Sequence, residues 1–458
     1  MFAGLRPNSM LAVLSIAVLL LGSWLLWRPG ESPILLFVFG YQWLQASVMV
    51  FHANWAGMDV AALASHGGNV DLAIVLSLLG LAVLALGMRL KAGPWRPQDS
   101  ALVRSTASSY GPQYWFLLYA VALLIATIAQ SVALMSPGLS QPLLAFANMK
   151  WAFFWILTYA TFTQPDASRK YWLLAFGLEM LLGLGGYFAE FKTPLVFTLL
   201  AVVAARARLS VGRYLGLLSL GAVGLILAVG WTAVKGEYRA FVSGGERAQI
   251  VVVGYQERFA QLANLVTQLD GNAMADAAEQ LLYRASYVDF FGVTLDMVPA
   301  MRPHEGGALW WDAISRPFMP RIFFPEKTAI DDSARTNYYT GLGVAGSDMG
   351  TSISLGYMAE NYIDFGAVGM MVPIFALGLL LGGFYHWMLR LDTRRLLGMS
   401  LATATIFNVS NLEVSITKIF GGLVVAILVS WIVLRFIAPR YFPWIRTEAA
   451  RVVPLRQQ

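Results

Sequence analysis

No cysteine occurs in the 458 residues, which excludes disulfides, thiolate catalysis and cysteine-ligated metals. Charge is scarce too. Asp, Glu, Lys and Arg make up 13% of the chain, about half the share of an ordinary soluble domain. There is no HExxH, Walker loop, GxSxG or dinucleotide fingerprint. Nothing therefore offers a cytoplasmic nucleotide a site, and any energy source must arrive with the substrate. Internal repeats, low-complexity tracts and strand-rich stretches are absent, as is the inverted repeat common in secondary transporters.

What is present is apolar: 58% of residues are hydrophobic, 15 are tryptophan, and the mean hydropathy is +0.62. Runs of about 20 apolar residues recur, each long enough to cross a roughly 30 Å hydrocarbon core. The sequence reads as an all-α polytopic membrane protein with about eleven spans, at 9–27, 33–51, 71–90, 114–135, 143–163, 171–188, 193–206, 212–234, 366–389, 396–412 and 415–437. The first run is too long for a signal-peptide core and lacks a small-residue cleavage site, so it reads as a span. Basic residues cluster in the loops after the third, fifth, seventh and ninth spans and in the C-terminal tail. All fall on one side, which the positive-inside rule assigns to the cytoplasm. The net charge of +6 is explained by these flanks. No basic run is interleaved with aromatics, so nucleic acid is not an expected partner.

The same count divides the chain into an N-terminal bundle of about eight spans (1–234), a large extracytoplasmic loop (235–350), about three closing spans (351–438) and a basic tail (439–458). The loop holds 24 of the 58 charged residues, too polar for lipid and too long for a plain connection. Two helices are expected in it. One covers 245–271 and ends at Asp270-Gly271, with glycine as the left-handed cap. The other covers 274–299 and ends at Pro299, with an aromatic face of Tyr283, Tyr287, Phe290 and Phe291 suited to the membrane interface or a sugar ring.

Three constellations carry chemistry. The first is the loop's cationic set: Arg239, Arg247, Arg258, Arg284, Arg316, Arg321, Lys327 and Arg335. Arginine grips phosphate or pyrophosphate through two parallel hydrogen bonds. Arg247 and Arg258 lie eleven residues apart, which on one helix puts them on a shared face about 16 Å apart. The alternative for each is a solvated arginine paired with a loop acid. The second is "YFAEFKTPL", where Glu190 and Lys192 separate two rather short spans. It reads either as a hairpin tip dipping into the membrane, where ionisable groups are expensive and functional, or as a plain turn with Lys192 snorkelling. The third is Glu360 and Asp364, four residues apart on one helical face just before the ninth span. One of them is a candidate general base, against the alternative of capping or salt-bridging. His304 is a weaker, lone candidate.

The chain resembles the Wzy-type O-antigen and exopolysaccharide polymerases, relatives of the O-antigen ligases. The likeness rests on "FMPRIFFPEKTAID", on "SISLGYMAENYIDFGAVGMMVPIFALGLLLGGFY", and on "GGYFAEFKTPLVFTLLAVVAARAR", together with eight spans, a long loop and three closing spans. Many relatives have arginine in the hairpin where this chain has Lys192. The resemblance implies a GT-C-like, metal-independent glycosyltransferase of the bacterial inner membrane, without cofactors, acting at the periplasmic face. It would join repeat units carried on undecaprenyl pyrophosphate, the donor being one lipid-linked glycan and the acceptor another. Implied partners beyond membrane lipid are a chain-length regulator and export-complex proteins. In that reading Glu360 or His304 takes the acceptor's proton and Arg321 stabilises the leaving pyrophosphate. Lys192, Arg239, Arg247, Arg258, Arg284, Lys327, Arg335 and Tyr287 bind substrate.

Other readings stay open. A ligase would rely on a periplasmic histidine, for which His304 is the loop candidate. A lipid-linked oligosaccharide transporter would line its spans with charges and lack the large loop. A non-catalytic assembly scaffold would have little need of so many loop arginines.

Overall fold

The structure, a computed structural model, describes residues 8–442 apart from 165, 188–189, 206–210, 246–250, 321–322, 325 and 347–350. Among these residues every regular element is helical. That is what long apolar runs require, because a helix satisfies its own backbone polar groups where lipid cannot. Eight helices are long and apolar enough to cross a membrane. They are α1 (Ser9–Leu26), α2 (Ile34–Ala56), α3 (Val70–Lys91), α4 (Pro112–Met135), α5 (Ser140–Thr163), the apolar part Leu218–Val242 of α8, α15 (Met371–Leu391) and α17 (Ile416–Tyr441). The remaining three of the eleven expected spans are short: α6 (Lys170–Leu184), α7 (Lys192–Ala205) and α16 (Leu396–Phe407), of 15, 14 and 12 residues. At 1.5 Å per residue they extend about 18 to 23 Å, well under a 30 Å core.

α8 runs Val211–Val242 and, at 32 residues, is about 48 Å long, so it projects beyond the bilayer. The segment after it forms α9 (Tyr255–Thr267), α10 (Gly271–Ala285), α11 (Asp289–Met297), α12 (Ala308–Ser315) and α13 (Asp332–Thr340), and α14 (Tyr357–Gly369) leads into α15. Both expected loop helices are corrected. Residues 251–254 are not helical, so α9 starts at Tyr255. Asp270-Gly271 opens α10 instead of closing α9, because the Asp270 side chain accepts the Ala273 N–H at 2.7 Å. The second helix breaks at Ser286–Val288 into α10 and α11.

The core forms where α15 crosses α3. "GLLLG" places Gly378 and Gly382 directly against the backbone of Leu84 and Met88, and a Cβ at either position would collide with a carbonyl oxygen. Small residues four apart permit this close approach between membrane helices.

The two ends of the bundle are distinct. At one end Arg28 pairs with Glu31 at 3.0 Å and donates to the Ala92 carbonyl, Arg395 pairs with Asp99 at 2.7 Å, and Gln164 reaches the Ala107 carbonyl. Buried Asp392 there accepts the Gly398 N–H, and burial pushes its carboxyl above the usual range. The helices α9 to α13 lie at the other end.

Candidate functional site

The short helices create a recess at that second end. Gln45 is the midpoint of α2 and is buried. Its carbonyl accepts the Tyr287 N–H at 3.1 Å, and its side-chain oxygen accepts the Leu412 N–H at 2.8 Å. One turn away, Gln42 donates to the Val409 carbonyl at 2.8 Å and accepts the Tyr357 hydroxyl at 2.7 Å. The α10–α11 connection and the loop after α16 are therefore anchored about 16 Å below the end of α2. Non-helical backbone at such depth must be buried in protein or face a water-filled cavity. Leu412 is buried in protein, and Tyr287 borders a cavity.

The cavity is about 610 Å³, and Tyr283, Arg284, Tyr287, Asp289, Glu413 and Lys418 are among the residues that line it. Tyr287 is fixed by its hydroxyl, which donates to the Ser354 carbonyl, and burial pushes that hydroxyl far above its ordinary range. Asp289 opens α11 and accepts the Ser65 N–H at 3.0 Å, while its other oxygen is buried without a partner among the described residues. Burial raises the Asp289 carboxyl, against that hydrogen bond. Lys418 pairs with Asp332 at 2.6 Å on the cavity wall.

The hairpin carries Lys192 within electrostatic reach of Arg284 on the cavity wall. Its charge acts on Arg284, as does that of Lys235 from α8, and Glu413 is a carboxylate that opposes them at Lys192. Among the described residues Lys192, Lys235 and Arg284 make no hydrogen bond or ion pair, and Lys192 and Arg284 are exposed. Three unpaired like charges held together repel one another, and an anion among them would relieve that repulsion.

The other expected site residues do different work. Arg335 on α13 meets Glu360 at 2.7 Å, and the second Glu360 oxygen accepts the Ile416 N–H at 2.6 Å. Glu360 is 1% exposed, so its carboxylate presents no free oxygen to a substrate hydroxyl. Burial pushes Glu360 up, and Arg335 opposes it. Burial also pulls Arg335 down, and Glu360 with Asp332 and Asp312 more than offsets that. Asp364 accepts the Leu309 and Trp310 N–H groups at 3.1 and 2.9 Å, which caps α12. Glu360 and Asp364 are a brace and a cap.

Arg258 is buried, donates to the Gly185 carbonyl at 2.6 Å and lies 3.9 Å over the Tyr255 ring. Arg239 donates to the Tyr187 carbonyl at 3.2 Å and lies over that ring. Both hold the hairpin. Lys327 donates to the carbonyls of Arg316 and Met319, at 2.6 and 3.0 Å, and closes that turn. His304 is exposed and bonds the Ile363 carbonyl at 3.1 Å through Nδ1, which must then carry the proton and leave Nε2 as an acceptor. It does not line the cavity. Arg247 and Arg321 lie outside the described residues, and with Arg247 goes the shared helical face expected with Arg258.

Several residues escaped the sequence reading. Gln42 and Gln45 stand out within an apolar run, and so do Lys150 and Glu179, which form a buried pair at 2.8 Å that Tyr119 joins through its hydroxyl at 2.8 Å. Polar residues inside spans were the available signal. Glu413 and Lys418 had none, because only the tertiary fold brings them to the recess.

The family described as "Domain of unknown function (DUF8712)" matches residues 113–442. The chain belongs to the DUF8712 family. That match takes in the hairpin, all of the loop helices and the Arg335–Glu360 brace, while α2, which anchors the recess through Gln42 and Gln45, precedes the DUF8712 region. No curated protein and no solved structure matches the chain.

Proposed function

We propose that this protein is a polysaccharide polymerase of GT-C-like architecture, transferring a glycan from a lipid-linked pyrophosphate donor to the hydroxyl of an incoming lipid-linked unit. The observation that carries the reading is Arg284, unpaired among the described residues on the wall of a recessed polar cavity with tyrosines, with Lys192 and Lys235 within electrostatic reach of it. The cations hold the pyrophosphate and stabilise the charge it gains as it leaves. The acceptor oxygen bonds to the anomeric carbon, the bond from that carbon to pyrophosphate breaks, and the hydroxyl proton passes to a carboxylate. Glu413 takes that role in place of Glu360, because it lines the cavity and, among the described residues, its one hydrogen-bond partner is the Asn411 amide at 3.1 Å. Basic residues at the opposite end of the bundle, including Arg28, Arg89 and Arg390, orient the recess toward the periplasm of an inner membrane.

Lipid-linked glycans of a deletion strain test this. Single repeat units should accumulate. Finished polymer left on its carrier would instead favour a ligase, the reading to which the free Nε2 of His304 lends weight. A normal lipid-linked pool with normal polymer would end both.

A further inference from the structure

A second cavity, of about 410 Å³, borders the hairpin. Its walls come from α4, α5, α6 and the hairpin turn, and the start of α9 closes it. Glu190 lines this cavity, while Lys192, two residues on, lies within electrostatic reach of Arg284 on the wall of the larger one.

The chemistry of the smaller space is different. It holds one lysine and two glutamates, Lys150, Glu179 and Glu190, and Lys150 is already paired with Glu179 at 2.8 Å. Its net charge is negative, so it disfavours a phosphate or pyrophosphate. A lipid tail fits no better, because Gln130 and Glu190, which have no partner among the described residues, would be stranded against hydrocarbon. Among the described residues no group of acids and histidines suits a metal ion.

A neutral polyol satisfies every wall. Tyr187 and Tyr255 offer rings for the apolar side of a sugar. Glu190 and Gln130 offer acceptors and a donor for hydroxyls, and a hydroxyl–carboxylate bond is the stronger, charge-assisted kind. The volume falls in the range of small-molecule sites. The walls are also held firmly. Arg258 lies over Tyr255 and Arg239 over Tyr187, Tyr119 and Lys150 fix Glu179, and the Glu190 N–H bonds the Gly183 carbonyl at 3.1 Å.

We infer that the cavity between α4, α6 and the hairpin is a separate carbohydrate site, which takes the acceptor glycan while the pyrophosphate of the donor occupies the cationic recess. The assignment to the acceptor rests on the polymerase reading. The carbohydrate site itself does not.

The experiment measures equilibrium binding of short oligosaccharides, made by partial acid hydrolysis of the cell's own surface polysaccharide, to the full-length protein in lipid nanodiscs. Wild type should bind. Glu190→Gln and Tyr255→Ala should each weaken binding about tenfold or more, the loss of one charge-assisted hydrogen bond or one ring face. Arg284→Ala should leave binding of this phosphate-free probe unchanged. Glu190 is exposed and its side chain unpaired among the described residues, so the Gln variant keeps the fold. No binding to wild type, unchanged binding in both cavity variants, or loss in Arg284→Ala would each overturn the site. Binding with the expected pattern, in a protein whose deletion leaves no single lipid-linked units, would keep the carbohydrate site and remove the polymerase reading alone.

Discussion

The carbonyl of Gln45 accepts the backbone N–H of Tyr287 at 3.1 Å, halfway along a membrane-length helix. Its side chain bonds the Leu412 N–H at 2.8 Å. One residue therefore seats two loops. Gln45→Leu should leave the Leu412 N–H buried and unsatisfied, which costs about 1–3 kcal/mol. Thermal unfolding in detergent should show a lowered Tm, and Gln45→Glu should restore more of it than Leu does.

Glu360 distinguishes a brace from a base. Removing one partner of a buried pair typically costs about 3–5 kcal/mol. Glu360→Gln should therefore lower the Tm markedly, because Arg335 loses its carboxylate. A variant that keeps the wild-type Tm yet makes no polymer would return Glu360 to catalysis.

The cations should behave in the opposite way. Arg284→Lys and Lys192→Ala should reduce polymer about a hundredfold, the usual loss for a preorganised donor to developing charge. The Tm should hold in Arg284→Lys, which keeps the charge, and hold or rise slightly in Lys192→Ala, where an unpaired repulsion is relieved. Arg258→Lys should instead lower the Tm, because the Lys side chain loses the planar stack on Tyr255 and the directed bond to Gly185. Thermal unfolding and polymer yield, measured together, separate the two groups.

Asp289 gives a pH signature. Burial raises its folded value above that of the unfolded chain, so the folded state binds the proton more tightly. Its contribution to stability is full below an unfolded value of about 3.9 and is lost as pH rises through the raised folded value. Asp289→Asn should flatten the fall in Tm across that window. An unchanged pH slope in the variant would mean that Asp289 is ionised when folded.

Hydropathy alone located the eight long helices, because lipid imposes one length on any apolar run. It carried α6 and α16 too far because the residues after them, Gly185 to Tyr187 and "NVSNLEVS", are apolar enough to read as membrane although they are not helical. The loop helices were misread for local reasons. "VVVG" is β-branched and lies outside α9, and Asp270-Gly271 suits a helix start as well as an end. The approach of Lys192 to Arg284 was legible only as two separate charges, since they are 92 positions apart in the chain. The sequence likewise gave each arginine equal standing. What separates Arg284 from Arg258 is the Gly185 carbonyl and the Tyr255 ring, which tertiary packing supplies.

α6 turns an apolar face outward, with Leu173, Leu174, Leu178 and Leu181 all exposed. That face extends only about 22 Å along a helix of 15 residues. A bilayer meeting it is about 8 Å too thick, and closing such a gap costs a fraction of a kcal/mol per ångström. Lipids beside the hairpin must thin or dip, so headgroups on that flank sit lower than elsewhere around the protein. A carrier lipid diffusing along the membrane would meet a depression there, with its polar end lowered toward the level of Glu190 and Lys192 before it touched either.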